Sequence, residues 1–264
     1  MEPGQKLNRT LWSVIFPGAL YFAVCQIAGL LLRMLPVSGQ LDAVKRQGIG
    51  SLAALVVLYV CFVRREALRR GHKKVFMGPV SGQFFAGMAS ALLLLGCAGI
   101  AMNNLLALTV LKQISGGYRI VEQAFYSSSL GWEILSLGVI TPVAEEVLYR
   151  YLIFYGLRDW QGRRMAVIGS ALIFALLHMN IVQIVYAFVL GLALGVLMEY
   201  YQDVRVTICG HIAANVISLL RGETGFLAWL QPDGAAFVPV TFGLLAVAVL
   251  ITGWHVRMIR RGAA

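Results

Sequence analysis

The fold class this sequence predicts is all-α, a polytopic bundle of about eight transmembrane helices, and three observations carry it. Of its 264 residues 59% are hydrophobic. Charged residues make up 13%, against roughly 25% in soluble domains. Mean hydropathy is +0.78, and the apolar runs approach the roughly 20 residues that a helix needs to cross a bilayer. A water-soluble globule is excluded. The net charge of +10 would suggest nucleic acid in a soluble protein, but Lys and Arg gather here in short connections, the pattern of membrane orientation. The partner expected from composition is the lipid bilayer, with no nucleic acid.

The predicted spans run in order over residues 11–32, 48–63, 84–102, 131–152, 165–179, 183–200, 206–220 and 236–254. Lys6 and Arg9 precede the first, which is longer than a signal-peptide core and is read as a retained helix. The second, fifth and seventh are near or below the spanning minimum. Fifteen Lys and Arg fall on the side of the termini; six, Arg33, Lys45, Arg46, Lys112, Arg119 and Arg221, fall on the other. Both termini are therefore expected in the cytoplasm of a multi-pass protein of the cell membrane. The basic run RREALRRGHKK (64–74) reads as a topology anchor, with an anionic-lipid or partner site as its alternative. Residues 112–129 read as an external loop or an interfacial helix. GLALG (191–195) is a GxxxG that brings helix backbones close. Cys25, Cys61, Cys97 and Cys209 sit singly in apolar segments as packing residues. No repeat or linker divides the chain, so residues 1–264 are expected to form one membrane domain.

Ionisable side chains inside apolar segments are costly, about 2.5–3.5 kcal/mol at mid-helix on insertion scales, and turn toward the bundle interior or a wet cavity. Three segments carry them: TPVAEEVLYRYLIF, SALIFALLHMN and ICGHIAANVI. Glu146 and Arg150 stand at i and i+4 in the favourable order for an ion pair. Glu145 lies about 100° round the helix, without a local cation, and an unpaired carboxylate in a low-dielectric wall suits a general base. All three residues also suit a buried ion cluster that holds helices together. His178 follows Phe174 by four residues, so that ring can hold the imidazole, and His178 also suits a helix-to-helix hydrogen bond. His211 and Asn215 share one helical face, two donors able to meet one oxygen or to serve packing.

Together, an acid, two imidazoles and an amide make a water-activating and oxyanion-binding set. Glu145, assisted by His178, would deprotonate water for attack on a peptide carbonyl, and His211 with Asn215 would hold the tetrahedral oxyanion. No Ser or Cys accompanies the histidines as an obvious nucleophile. The reading requires no cofactor. Glu145, His178 and His211 are also a possible zinc set of two His and one carboxylate, although the compact HExxH signature is absent.

EEVLYR (145–150) fits EExxxR, Phe174 to His178 fits FxxxH, and His211 to Asn215 fits HxxxN. In these three motifs, over about residues 130–220, the chain resembles the CPBP or Abi family, which includes type II CAAX prenyl endopeptidases and bacteriocin-processing membrane proteins. The resemblance implies an intramembrane glutamate protease with Glu145 and His178 activating water, and His211 with Asn215 as oxyanion hole. It also marks Glu146, Arg150 and Phe174 as supporting motif residues. Tyr151 stands where members often carry Gly. Asn180 is a further supporting polar residue, lining the site or ending a helix.

The function expected is an endopeptidase acting on a membrane-associated protein or peptide, whether CAAX-type or peptide and bacteriocin processing. Its chief alternative is a non-catalytic membrane binding or bacteriocin-immunity protein; a proton-coupled transporter is disfavoured because no inverted repeat is visible. The site cavity is expected to open toward the cytoplasm. With helix ends placed as above, Glu145 and His211 lie close to the cytoplasmic end of their helices and His178 near the far end of its own, a mismatch in depth.

Overall fold

The computed structural model describes residue 8 and residues 11–36, 41–71 and 78–262, and among these residues there are ten helices and no strand. In chain order they are α1 (Trp12–Met34), α2 (Ala43–Arg69), α3 (Gly82–Ala107), α4 (Leu111–Ile114) and α5 (Gly116–Phe125). There follow α6 (residues 130–161), α7 (Arg163–Leu176), α8 (Ile181–Tyr201), α9 (Val204–Thr224) and α10 (Phe237–Arg260). Lys6, Arg9, Lys73 and Lys74 lie outside the described residues.

Six helices, α1, α2, α3, α8, α9 and α10, are long and apolar enough to cross a membrane, and the protein is an integral membrane bundle. With α6 and α7 they make the eight segments expected. α6 has the length, but Glu133, Glu145, Glu146 and Arg150 interrupt its apolar character. α7, with 14 residues, rises only about 21 Å at 1.5 Å per residue, short of the roughly 30 Å hydrocarbon core.

Several helix ends differ from the sequence expectation, each for a local reason. α2 begins at Ala43 rather than 48 because the Asp42 carboxylate caps it, accepting from the Lys45 amide at 3.0 Å. Its first turn carries Lys45 and Arg46, so hydropathy alone starts it late. α6 continues past residue 152 to Gln161, where Gly162 takes a left-handed φ of 84° that ends the helix. α7 stops at Leu176 rather than 179.

The terminus-side end of the bundle is tied by ions. Glu199, on α8, is bound by Arg158 at 2.7 and 3.0 Å and by Arg163 at 3.0 Å. Arg69 and Arg70 reach from α2 to Asp159 of α6, each at 2.6 Å, and both also pair with Glu66. Part of the basic run 64–74 thus holds helices together. α7 and α8 meet at the GLALG glycines: a Cβ on Gly191 would lie 3.2 Å from the Ala171 backbone, and one on Gly195 3.3 Å from that of Val167. The close-packing role expected of this motif is what the structure shows.

Candidate active site

The site is built on α6, whose winding is not uniform. Two stretches of wider π-type winding, Ile134–Ile140 and Val147–Phe154, flank the α-helical segment Thr141–Glu146 that carries both glutamates. Pro142 explains one consequence. In the wider register the Thr141 amide bonds to the Ser136 carbonyl, so the next amide in line, at position 142, would serve Leu137. Proline has no N–H to give. The Leu137 carbonyl accepts instead from the Asn215 side-chain amide at 2.9 Å, which fixes that carboxamide on α9 against α6.

The two glutamates diverge as their 100° separation predicts. The Glu146 side chain is fully buried, with its carboxylate 3.5 Å from the Arg150 guanidinium and 2.9 Å from His211 Nδ1. Arg150, also fully buried, donates to the Gly191 carbonyl at 3.5 Å and lies 5.2 Å from the centre of the Phe174 ring. Glu145 keeps 16% side-chain exposure, and its Oε2 stands 3.7 Å from His211 Nε2.

Phe174 is the hub of this cluster. Its ring meets His178 at 4.9 Å, His211 at 5.6 Å and Tyr149 at 5.0 Å, each edge to face. His178 sits in the turn just beyond α7, with its Nδ1 2.9 Å from the Phe174 carbonyl. A carbonyl only accepts, so Nδ1 carries the proton and Nε2 of the neutral ring is left as an acceptor. Asn180 caps α8, accepting from the Gln183 amide at 3.0 Å and donating to the His178 carbonyl at 3.3 Å. It therefore secures the turn that carries His178.

Glu145, Phe174, His178, His211 and Asn215 line one cavity of about 180 Å³. The longer α6 brings Glu145 to the depth of His178. Glu145 lies sixteen residues from Gln161 and His178 fifteen from Arg163, each about 22–24 Å from that end at 1.5 Å per residue. The other end of the cavity is lined by Lys112, Tyr118, Glu122 and Tyr126 of the α3–α6 connection, on the face opposite the termini. That connection, expected as a loop or an interfacial helix over residues 112–129, carries the two short helices α4 and α5. Tyr118 donates to Glu122 at 2.8 Å. Burial, then this bond, raises the Tyr118 phenol above its ordinary pKa. Burial lowers the Lys112 ammonium, against the attraction of Glu122 and with the repulsion of Arg221.

The structure thus gathers Glu145, His178, His211 and Asn215 around one space, sets Glu146, Arg150 and Phe174 behind them, and uses Asn180 as a helix cap outside the lining. Among the described residues no group of three His, Cys, Asp or Glu side chains converges as a metal would require, so the zinc set Glu145, His178 and His211 is not assembled. Sequence reasoning missed the Leu137 carbonyl, the Tyr149 ring and Glu199. A proline three residues before the paired glutamates and a lone acid ending a long apolar helix were the available signals.

Acid, imidazole and amide side chains around one cavity in a helical membrane bundle can together activate water and hold an oxyanion. Residues 127–217 match the family described as Type II CAAX prenyl endopeptidase Rce1-like, and this match supports the CPBP/CAAX intramembrane protease family for the segment that holds all three motifs. No curated protein matched the chain, and no solved structure did.

Proposed function

We propose that the protein is an intramembrane endopeptidase that hydrolyses a peptide bond of a membrane-associated protein or peptide through activated water, with Glu145 as the base. The observation that carries the reading is the division of labour between adjacent glutamates: Glu146 is buried against Arg150 and His211, while Glu145 faces the cavity beside His178, His211 and Asn215.

In this mechanism Glu145 takes a proton from water that His178 Nε2 helps to orient, and the hydroxide adds to the peptide carbonyl carbon. Glu146 accepts from His211 Nδ1–H, so the opposite nitrogen, protonated in the imidazolium, donates to the developing oxyanion. One Asn215 amide hydrogen goes to Leu137 and the second is free to join it. The proton on Glu145 then passes to the departing amine as the carbon–nitrogen bond breaks. No covalent enzyme intermediate is formed.

Glu145→Gln keeps the shape and removes the base. At matched abundance it lowers the formation of cleaved membrane proteins or released peptides by at least about 100-fold, the scale of general-base catalysis, as read by comparative peptide mass spectrometry of cells carrying either form. Identical product profiles from two folded forms would move the assignment to a binding or immunity protein.

A further inference from the structure

The geometry points to Thr141 as a third ligand of the attacking water, with its hydroxyl aimed by Ser51 of α2. This role rests on the protease reading of Glu145 and adds to it the group that fixes the water's lone pairs.

A water molecule has four directions to satisfy. Its two hydrogens go to the Glu145 carboxylate and to His178 Nε2, and neither of these can donate in return, since the His178 proton is held on Nδ1 by the Phe174 carbonyl. One lone pair must face the peptide carbonyl carbon if the oxygen is to add to it. The other calls for a donor; without one the water turns about its two hydrogen bonds and the attacking lone pair loses its aim. His211 and Asn215 are committed to the oxyanion. Thr141 supplies the donor. It stands one turn before Glu145 in the α-helical segment Thr141–Glu146, so the two share a face, and both line the cavity with His178.

The Thr141 hydroxyl is not turned back onto its own helix. Thr224 and Thr252 return theirs to the carbonyl four residues earlier, at 2.7 and 2.8 Å, the ordinary habit of a helical threonine. For Thr141 that carbonyl is Leu137, which already accepts from Asn215 at 2.9 Å. Its Oγ1 lies instead 3.1 Å from Ser51 Oγ, across the interface with α2. The Gln47 side-chain amide donates to Ser51 Oγ at 3.3 Å, which leaves the Ser51 hydrogen for Thr141 and the Thr141 hydrogen for the cavity. The donors then run one way, from Gln47 through Ser51 and Thr141 to water, and each bond in such a chain strengthens the next. α2 comes close enough because position 48 is glycine: a Cβ there would collide with the Ser136 side chain of α6, about one turn before Ser51 and Thr141. Thr141 keeps its proton throughout. As the water O–H bond breaks toward Glu145 and the oxygen–carbon bond forms, the hydrogen bond from Thr141 holds the nucleophilic oxygen in line.

The test uses the purified full chain in detergent and a synthetic peptide spanning a bond that wild type cuts in cells and Glu145→Gln does not. Thr141→Val keeps the shape and removes the hydroxyl. Its kcat is expected to fall about tenfold, the scale of one hydrogen bond, with KM within about twofold of wild type, the signature of an interaction made in the transition state. Thr141→Ser restores the hydroxyl and is expected to regain most of that rate. Ser51→Ala leaves the Thr141 hydroxyl in place but unaimed; it should lower kcat about threefold and have no further effect in a Thr141→Val background. A wild-type kcat in folded Thr141→Val, or a loss confined to KM, overturns the inference and leaves the protease reading standing. If wild type and Glu145→Gln give identical products in cells, the protease reading fails and this role falls with it. Should Thr141→Val fail to fold, Ser51→Ala carries the test, and a wild-type kcat in that form overturns the inference.

Discussion

At the scale of single residues, the positions of Glu145 and Glu146 were legible because helical geometry separates neighbours by about 100°, and only one of the two had an arginine four residues on. The placement of Asn215 was not. It depends on a carbonyl left without a backbone donor, where π winding meets Pro142. Pro142→Ala supplies the missing N–H, which competes with Asn215 for Leu137. Cleavage should fall about tenfold with KM little changed and thermal stability retained, within the range for a misplaced catalytic group. In an Asn215→Ala background the same change should have almost no further effect, and kinetics of the four purified forms measure that coupling. Additive losses would sever the link between Pro142 and Asn215.

At the scale of elements, the all-helical membrane bundle and the packing use of GLALG followed from apolar run length and small-residue spacing. The ends of the helices did not, because caps and ion pairs let polar residues continue a helix that hydropathy has already closed. Asp42 starts α2 before its apolar stretch begins, and α6 runs on through Arg158 because Glu199 of α8 receives that arginine. The fit between α7 and α8 is tight enough to predict a cost. Gly195→Leu drives a side chain into Val167, whose Cγ1 would lie 3.2 Å and whose backbone 3.3 Å from the first added carbon. Overpacking of this kind costs about 1–3 kcal/mol. The thermal midpoint in detergent should drop, and a midpoint equal to wild type would contradict the close approach.

For the whole molecule, the motif-bearing segment depends on helices outside it. α3 packs on α9 where Gly210 faces Ala91 and Leu95, and α2 joins α6 through Ser51 and Thr141 at 3.1 Å. A fragment of residues 127–264 therefore lacks two walls of the bundle. It is expected to aggregate in detergent and to yield no Glu145-dependent product, as gel filtration and the cleavage assay would show; a monodisperse, active fragment would refute this dependence.

The sequence by itself determined the solvent, the helical class and the side chains too polar for lipid, because each follows from the cost of placing local groups in hydrocarbon. Only the tertiary structure decided which segments line the cavity, how deep Glu145 and His178 sit, and which partner orients Asn215 and His211. Those properties are set by contacts between helices far apart in the chain, where the length of one helix, the winding of another and a single missing amide hydrogen combine.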